Sequence, residues 1–225
     1  MGEIILDARN IHKSYNNGKK RLIVLNNLSL ILEKSEIVTI MGQSGSGKST
    51  ALNILGTLDT PDSGTVKIDG VDITTLNENE LSKLRNQHIG FVFQFHHLLP
   101  EFSAIENVLI PTWIGNKKNK LEDALYLFES LGIYDRKNHS PSQLSGGEKS
   151  RVALIRGIIN KPKILFTDEP TGNLDEKNSM KLVNLLCKIN EDFKQSIILT
   201  THNPNIACFG NKQYMLEKGV LRNTK

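Results

Sequence analysis

Cysteine is scarce in this chain: 225 residues hold only Cys187 and Cys208. Two thiols cannot build a disulfide framework, and neither sits in a metal-type cluster, so a reducing compartment is expected. Long apolar runs are missing as well. No stretch nears the ~18 residues needed to cross a bilayer. The opening MGEIILDARN lacks the basic segment and apolar run of a signal peptide. Leu6 stands where a myristoylation signal has Ser or Thr. The expectation is a cytosolic chain whose contact with any membrane runs through a partner. Internal repeats and low-complexity tracts are also absent. No sign of charge dominates: 28 Lys and Arg against 24 Asp and Glu leave a net +4. That balance suits nucleic acid, nucleotide phosphates or an anionic membrane face equally.

What is present reads as soluble and globular. Hydrophobic residues make up 38% and charged residues 23%, and the length fits one domain with a sizeable core. The first quarter is strand-like, with EIILDARNIHKSY and VLNNLSLIL separated by the turn signal at Asn16 to Gly18. EIVTIMG, Thr65 to Ile68 and Ile89 to Phe93 follow as strands, and a helix is predicted from Ser49 to about Gly56. From Ser103 to Asn160 the pattern turns helical. Ser103 to Glu106 is a capping box, LEDALYLFESLGI has helical periodicity with a glycine stop at Gly132, and Ser145 caps a third helix. Strand, helix and strand then return in KILFT, EKNSMKLVNLLCKI and SIILT. This order predicts an α/β fold with a parallel sheet and an α-helical insertion.

The stretch GQSGSGKST comprises Gly42, Gln43, Ser44, Gly45, Ser46, Gly47, Lys48, Ser49 and Thr50. It follows a predicted strand, opens a predicted helix and satisfies G-x-x-x-x-G-K-[ST], the phosphate-binding loop. Its glycines let several backbone N–H groups turn into one concavity, and the helix N-terminus adds partial positive charge. Lys48 can reach the outer phosphates, and the Ser49 hydroxyl can ligate Mg²⁺. The apolar strand ILFTDEP ends in two carboxylates. Asp168 is placed to hold Mg²⁺ through its water shell and Glu169 to polarise an attacking water. An ordinary acidic turn is the bland alternative, which the upstream phosphate loop disfavours. Guanine specificity would need N-K-x-D, but NKPK at Asn160 to Lys163 lacks the aspartate and precedes the carboxylate strand.

LSGGE, Leu144 to Glu148, supplies a second helix start whose first amides carry no side chain. Taken with the rest, the chain resembles the ATP-binding subunits of ABC transporters along nearly its whole length. Tyr15 matches the aromatic that stacks on adenine, and Gln94 the Q-loop glutamine. LSGGE matches the signature and TDEP the carboxylate strand. Gly172 to Asp175 match the D-loop, and His202 matches the switch histidine.

The resemblance implies a P-loop NTPase core with an antiparallel β edge, about residues 1–95 and 161–225. A helical subdomain of about residues 96–160 would carry the signature, all within one ABC ATP-binding domain. It also implies ATP and Mg²⁺ as ligands, with Ser49, Gln94 and Asp168 serving the metal. Ser145, Gly146, Gly147 and Glu148 would close on the γ-phosphate held by a second copy, in a head-to-tail ATP sandwich. Glu169 would polarise water, His202 would contact the γ-phosphate, and Gln94 would link Mg²⁺ to a membrane partner. Thr167, Ser150 and Asn203 depart from the usual apolar residue, glutamine and aspartate at their places.

One stretch, FQFHHLLPEF from Phe93 to Phe102, carries adjacent histidines, His96 and His97. On extended backbone they would point in opposite directions, and no Cys or His cluster completes a metal site. The preferred reading is a docking surface, with Phe95, Leu98, Leu99 and Phe102 partly exposed and Ile110, Trp113 and Ile114 nearby; a plain structural role for one histidine stays open. FQFHHLLPEFSAIENVLIP is similar to the segment found in ATPases of lipoprotein-releasing systems, although Trp113 departs from the aliphatic residue usual there. That resemblance implies an ATPase on the cytoplasmic side of the inner membrane. It would be peripheral, bound to the integral membrane subunits of a lipoprotein-releasing complex, and would not act on nucleic acid. Macrolide-efflux and cell-division complexes are the alternatives. A soluble ABC protein of ribosomes or DNA fits less well, lacking a second ATPase unit or long coiled coils.

Overall fold

Two sheets organise the molecule, a computed structural model that describes residues 2–18, 20–117 and 119–224. β1 (Ile4–Asn17) and β2 (Lys20–Glu33) form a long antiparallel hairpin. β4 (Ser63–Ile68) pairs with the other edge of β1, and the short β5 (Val71–Asp72) follows it. The second sheet has six strands. β6 (Ile89–Phe93), β7 (Ile164–Asp168), β8 (Ser196–Thr201), β3 (Ile37–Met41) and β9 (Lys212–Glu217) run parallel in that spatial order. β10 (Val220–Asn223) closes the edge antiparallel to β9. The α/β fold expected from the sequence, a parallel sheet with antiparallel β structure at its edge, is present.

Strands β3, β7 and β8 are nearly continuous apolar runs because both faces are covered. Alternate residues serve alternate cores. Val38, Ile40, Ile164, Phe166 and Ile198 pack toward the antiparallel sheet and α1 (Lys48–Leu55), while Ile37, Leu165, Ile197 and Leu199 pack toward α5 (Gly146–Ile158) and α6 (Glu176–Phe193). α5 lies very close to β6: a Cβ on Gly90 would stand 2.1 Å from the Gly157 carbonyl oxygen. Only glycine permits that approach, which fixes the helix against the strand that leads to Gln94.

Between β6 and β7 come α3 (Ala104–Ile114), α4 (Leu121–Ser130) and α5 in succession. Their buried faces, including Val108, Phe128, Val152 and Leu154, join the second core. Ser103 and Ser145 each cap their helix in a reciprocal box with a glutamate three residues on, as their spacing predicts. α7 (Pro204–Ala207) is a single turn after β8. The sequence expectation leaves out α2 (Glu78–His88), the short β5, α7, and the hairpin of β9 and β10.

Candidate active site

The chain leaves β3 at Met41 and enters α1 at Lys48, so the phosphate-loop residues cross the C-terminal edge of the parallel sheet. Gly45 (φ 78°) and Gly47 (φ 102°) hold left-handed backbone, and a Cβ on Gly47 would also crowd the Val24 carbonyl at 3.0 Å. Helix α1 has neither a side-chain cap nor an acid in its first turn. Its leading amides are therefore free of the usual internal acceptor. A Cβ on Gly42 would strike Ser46 Oγ at 2.6 Å, and that buried hydroxyl has no partner among the described residues. An uncapped helix start, a glycine-shaped cradle and an orphaned hydroxyl together fit a polyphosphate.

Lys48 is 5% exposed, and its ammonium donates to the carbonyls of Gly42 (2.8 Å) and Gln43 (3.0 Å). It also pairs with Glu169 Oε1 at 3.0 Å. Glu169 Oε2 lies 2.9 Å from His202 Nδ1, so three groups expected from the sequence form one chain, Lys48–Glu169–His202. Glu169 follows the end of β7 in left-handed backbone (φ 43°), held by its N–H donating to Thr200 O and Oγ1. Strained backbone at a strand end commonly marks a working side chain. Burial pushes the Glu169 carboxyl up, but the hydrogen bonds from Lys48 and His202 outweigh it and leave it below the ordinary carboxylate range. Asp168 accepts the Thr200 hydroxyl at 2.7 Å. Thr200 thus orients both carboxylates, a role no motif announced.

Lys48, Asp168 and Glu169 line a cleft of about 460 Å³ with Tyr15, Ser44, Gly45, Gly47, Ser49, Thr50 and Gln94. Tyr15 is half-exposed there, its hydroxyl donating to Asp59 at 2.7 Å, while Lys13 pairs with the same carboxylate. The Gln94 side-chain amide packs against Gly172, and the Gln94 backbone carbonyl accepts from Asn173 Nδ2 at 3.0 Å. A second concavity of about 840 Å³ borders Gly42, Gln43, Ser46 and His202. Ser145, Gly146, Gly147 and Glu148 line neither space. Within one chain, the two expected anion sites do not meet.

The start of α5 differs from that of α1. Glu148 accepts the Ser145 N–H at 2.8 Å and the Arg136 Nε–H at 2.7 Å, and these bonds pull its carboxyl down to about 2. Yet a Cβ on Gly147 would meet nothing within 4 Å, and one on Gly146 only Leu174 at 3.6 Å. Among the described residues, nothing crowds either place, so both amides stand open to the surface.

The three departures from the family pattern have local explanations. Thr167 is fully buried and its hydroxyl donates to Ile198 O at 3.4 Å. Asn203 caps α7, accepting the Asn205 N–H at 2.9 Å. Ser150 is engaged by His96, which corrects the reading of the histidine pair. Both histidines hold left-handed rather than extended backbone, with φ 61° and 46°. His96 turns inward, its Nε2 2.8 Å from Ser150 Oγ, while exposed His97 sets its ring edge against Phe93. The surrounding apolar residues divide. Phe95, Leu99, Trp113 and Ile114 are exposed, whereas Leu98, Phe102 and Ile110 are half-buried. Arg156, which carries no motif, and the fully buried Asn107 of the ENV run hold this segment, a role that neither announces.

Comparison with known proteins agrees with this geometry. Residues 25–172 match the family model described as ABC transporter. A lipoprotein-releasing system ATP-binding protein, LolD, of Bdellovibrio bacteriovorus is 46% identical, covering 94% of this chain and 97% of the relative. The LolD of Shewanella frigidimarina is 43% identical over 98% and 93%. Among solved structures, a dimeric ATP-binding cassette in a post-hydrolysis state, bound to ADP and Pi, superposes with a TM-score of 0.91 at 38% identity, covering 98% of both chains. Nearly full-length identity, the fold and the converging phosphate loop, carboxylates and histidine give one conclusion: this chain belongs to the ABC transporter family, as one of its ATP-binding cassettes.

Proposed function

We propose that the chain is the ATP-hydrolysing subunit of a complex that releases lipoproteins from the inner membrane toward a periplasmic carrier. The observation that carries the ATPase reading is the convergence of Lys48, Asp168, Glu169 and Gln94 on the uncapped start of α1. Lys48 and the loop amides bind the phosphates. Ser49 and Asp168 would hold Mg²⁺, with Gln94 beside them, and the ion would supply charge neutralisation on those phosphates. Glu169, kept ionised by Lys48 and His202, accepts a hydrogen bond from the attacking water and orients it. His202, exposed and bonded to Glu169, meets the outer phosphate. Tyr15 offers its ring face to the base.

The bare Gly146 and Gly147 support a second copy as the missing half of the site. In that reading two chains sandwich ATP head to tail, each signature closing on the other's phosphate loop. Residues 96–160 form the helical subdomain in this proposal and residues 1–95 and 161–225 the core. The exposed Phe95, Leu99, Trp113 and Ile114 support docking to a membrane subunit on the cytoplasmic face. LolD relatives at 43–46% identity favour lipoprotein release as the process served.

The test is purification of the Glu169→Gln protein with ATP from its own membranes, followed by mass spectrometry of what accompanies it. Membrane subunits with large periplasmic domains of the lipoprotein-releasing kind are expected. Efflux or division subunits would overturn the cargo, and no membrane subunit would overturn the transport role.

A further inference from the structure

His96 is wired to the start of α5 through Ser150, one of the residues at which this chain departs from the family pattern. Ser150 Oγ donates to the Gly146 carbonyl at 3.0 Å, a bond from one helical turn back to the previous one. Such a bond loosens and bends the turn it spans. Its hydrogen being committed there, the same oxygen must accept from His96, 2.8 Å away, so the imidazole carries its proton on Nε2. Burial, with Lys149, Arg156 and His97 nearby, holds His96 below the ordinary imidazole range and keeps it neutral.

The segment around His96 is bolted at further points. Arg156, near the other end of α5, donates to His96 O (2.5 Å) and His97 O (2.7 Å). Asn107 of α3 holds Leu99 through both its N–H and its carbonyl, and reaches Phe102 O. The outer side of the same segment bears exposed Phe95 and Leu99. A load placed on that apolar side therefore reaches α5 at its last turn through Arg156 and at its first turn through His96 and Ser150.

We infer that His96 and Ser150 are positioning residues that set the orientation of the Gly146–Gly147 amides for the phosphate bound by a partner copy. This rests on the ATP-sandwich reading. Neither residue touches the nucleotide; each acts through the first turn of α5.

The test is steady-state ATP hydrolysis by the full-length chain, with nucleotide affinity measured separately. Ser150→Ala and His96→Ala should each lower kcat about tenfold, the worth of one net hydrogen bond. Affinity for ATP at the phosphate loop should stay within about twofold, because that loop is untouched. The double variant should fall no further than either single one. His96→Gln, which keeps a donor at about the reach of Nε2, should restore most of the rate. In a ¹⁵N spectrum, the wild-type His96 imidazole should show Nε2 protonated, and Ser150→Ala should erase that bias. Unchanged kcat, or losses that multiply in the double variant, would overturn the inference. Should Ser150→Ala fail to fold, His96→Ala against His96→Gln decides alone. A wild-type chain that neither binds nor hydrolyses ATP would overturn the ATPase reading instead.

Discussion

Helices α1 and α5 both begin at glycines on the same molecule, yet their first turns are managed oppositely. α1 starts with Gly47 and Lys48 and has no cap, so its amides wait for an external anion. α5 starts with Ser145, and Glu148 returns to the Ser145 N–H while Arg136 holds Glu148 in place. One end is open and carries a cation; the other satisfies part of itself with its own carboxylate. The difference teaches that a glycine-rich helix start is not one kind of site. α1 leaves its first amides open beside a buried lysine, whereas α5 engages part of its first turn with Ser145 and Glu148.

The largest expected effect comes from removing what makes the open end attractive. Lys48→Ala deletes the buried cation, strips Glu169 of its main partner and should weaken ATP binding at least ~100-fold, the loss of a charge-assisted contact made in a shielded site. Isothermal titration with ATP checks it; unaltered affinity would mean that the two helix starts differ less than their capping suggests. His202→Ala should leave binding nearly intact and lower turnover ~10²–10³-fold, as expected for one preorganised contact to a developing charge. Single-turnover kinetics separates the two outcomes.

Ser145→Ala sharpens the contrast from the other side. Losing an N-cap costs ~1 kcal/mol of stability, read as a shift in the denaturation midpoint. ATP binding by the single chain should not change, because Ser145 lies outside the cleft. Turnover should fall under the proposed sandwich, in which the α5 start of a second copy would complete the site. A loss of binding in the single chain would place α5 in the primary site and break the comparison.

How much of this could be read beforehand depended on whether chemistry or packing chose the residue. Gly47, Lys48, Asp168, Glu169 and His202 sit in motifs whose residue types follow from phosphate chemistry, so their identities and order announced the cluster that Lys48, Glu169 and His202 form. Capped helices with clear periodicity, α3 and α5, were equally legible. α2 was not: only Leu81 and Leu84 are buried, leaving no apolar stripe, although the Asn77/Glu80 capping box was an available signal. The β9–β10 hairpin turns through Lys218 and Gly219, both in left-handed backbone, a turn signal that was passed over. Thr200 works through position alone. Only the backbone at His96 and His97 was misread, because left-handed conformation at two consecutive non-glycine residues is uncommon; Arg156 binds His96 O and Asn107 binds Leu99, which hold the segment in place.

The smallest effect probes the closed end through its charge. Glu148 titrates at 4.5 in an unstructured chain and at about 2 when folded, with Arg136 the chief cause and the Ser145 N–H next. A depressed carboxylate contributes stability that is fully present above 4.5 and disappears as the pH falls toward about 2. The side chain is 24% exposed and its partner Arg136 45%, so solvent screening limits the contribution to ~1 kcal/mol. Glu148→Gln should therefore cost about that much at neutral pH, and the gap from the wild type should close between pH 4.5 and 2. Urea denaturation across that range measures it. The corresponding Glu169→Gln comparison should behave differently, since Glu169 owes its low value to Lys48 and His202, partners that a bound phosphate also engages. Saturating ATP should then reduce the stability difference for Glu169→Gln and leave that for Glu148→Gln unchanged, unless the nucleotide bridges two chains; dependence on protein concentration would reveal the bridge.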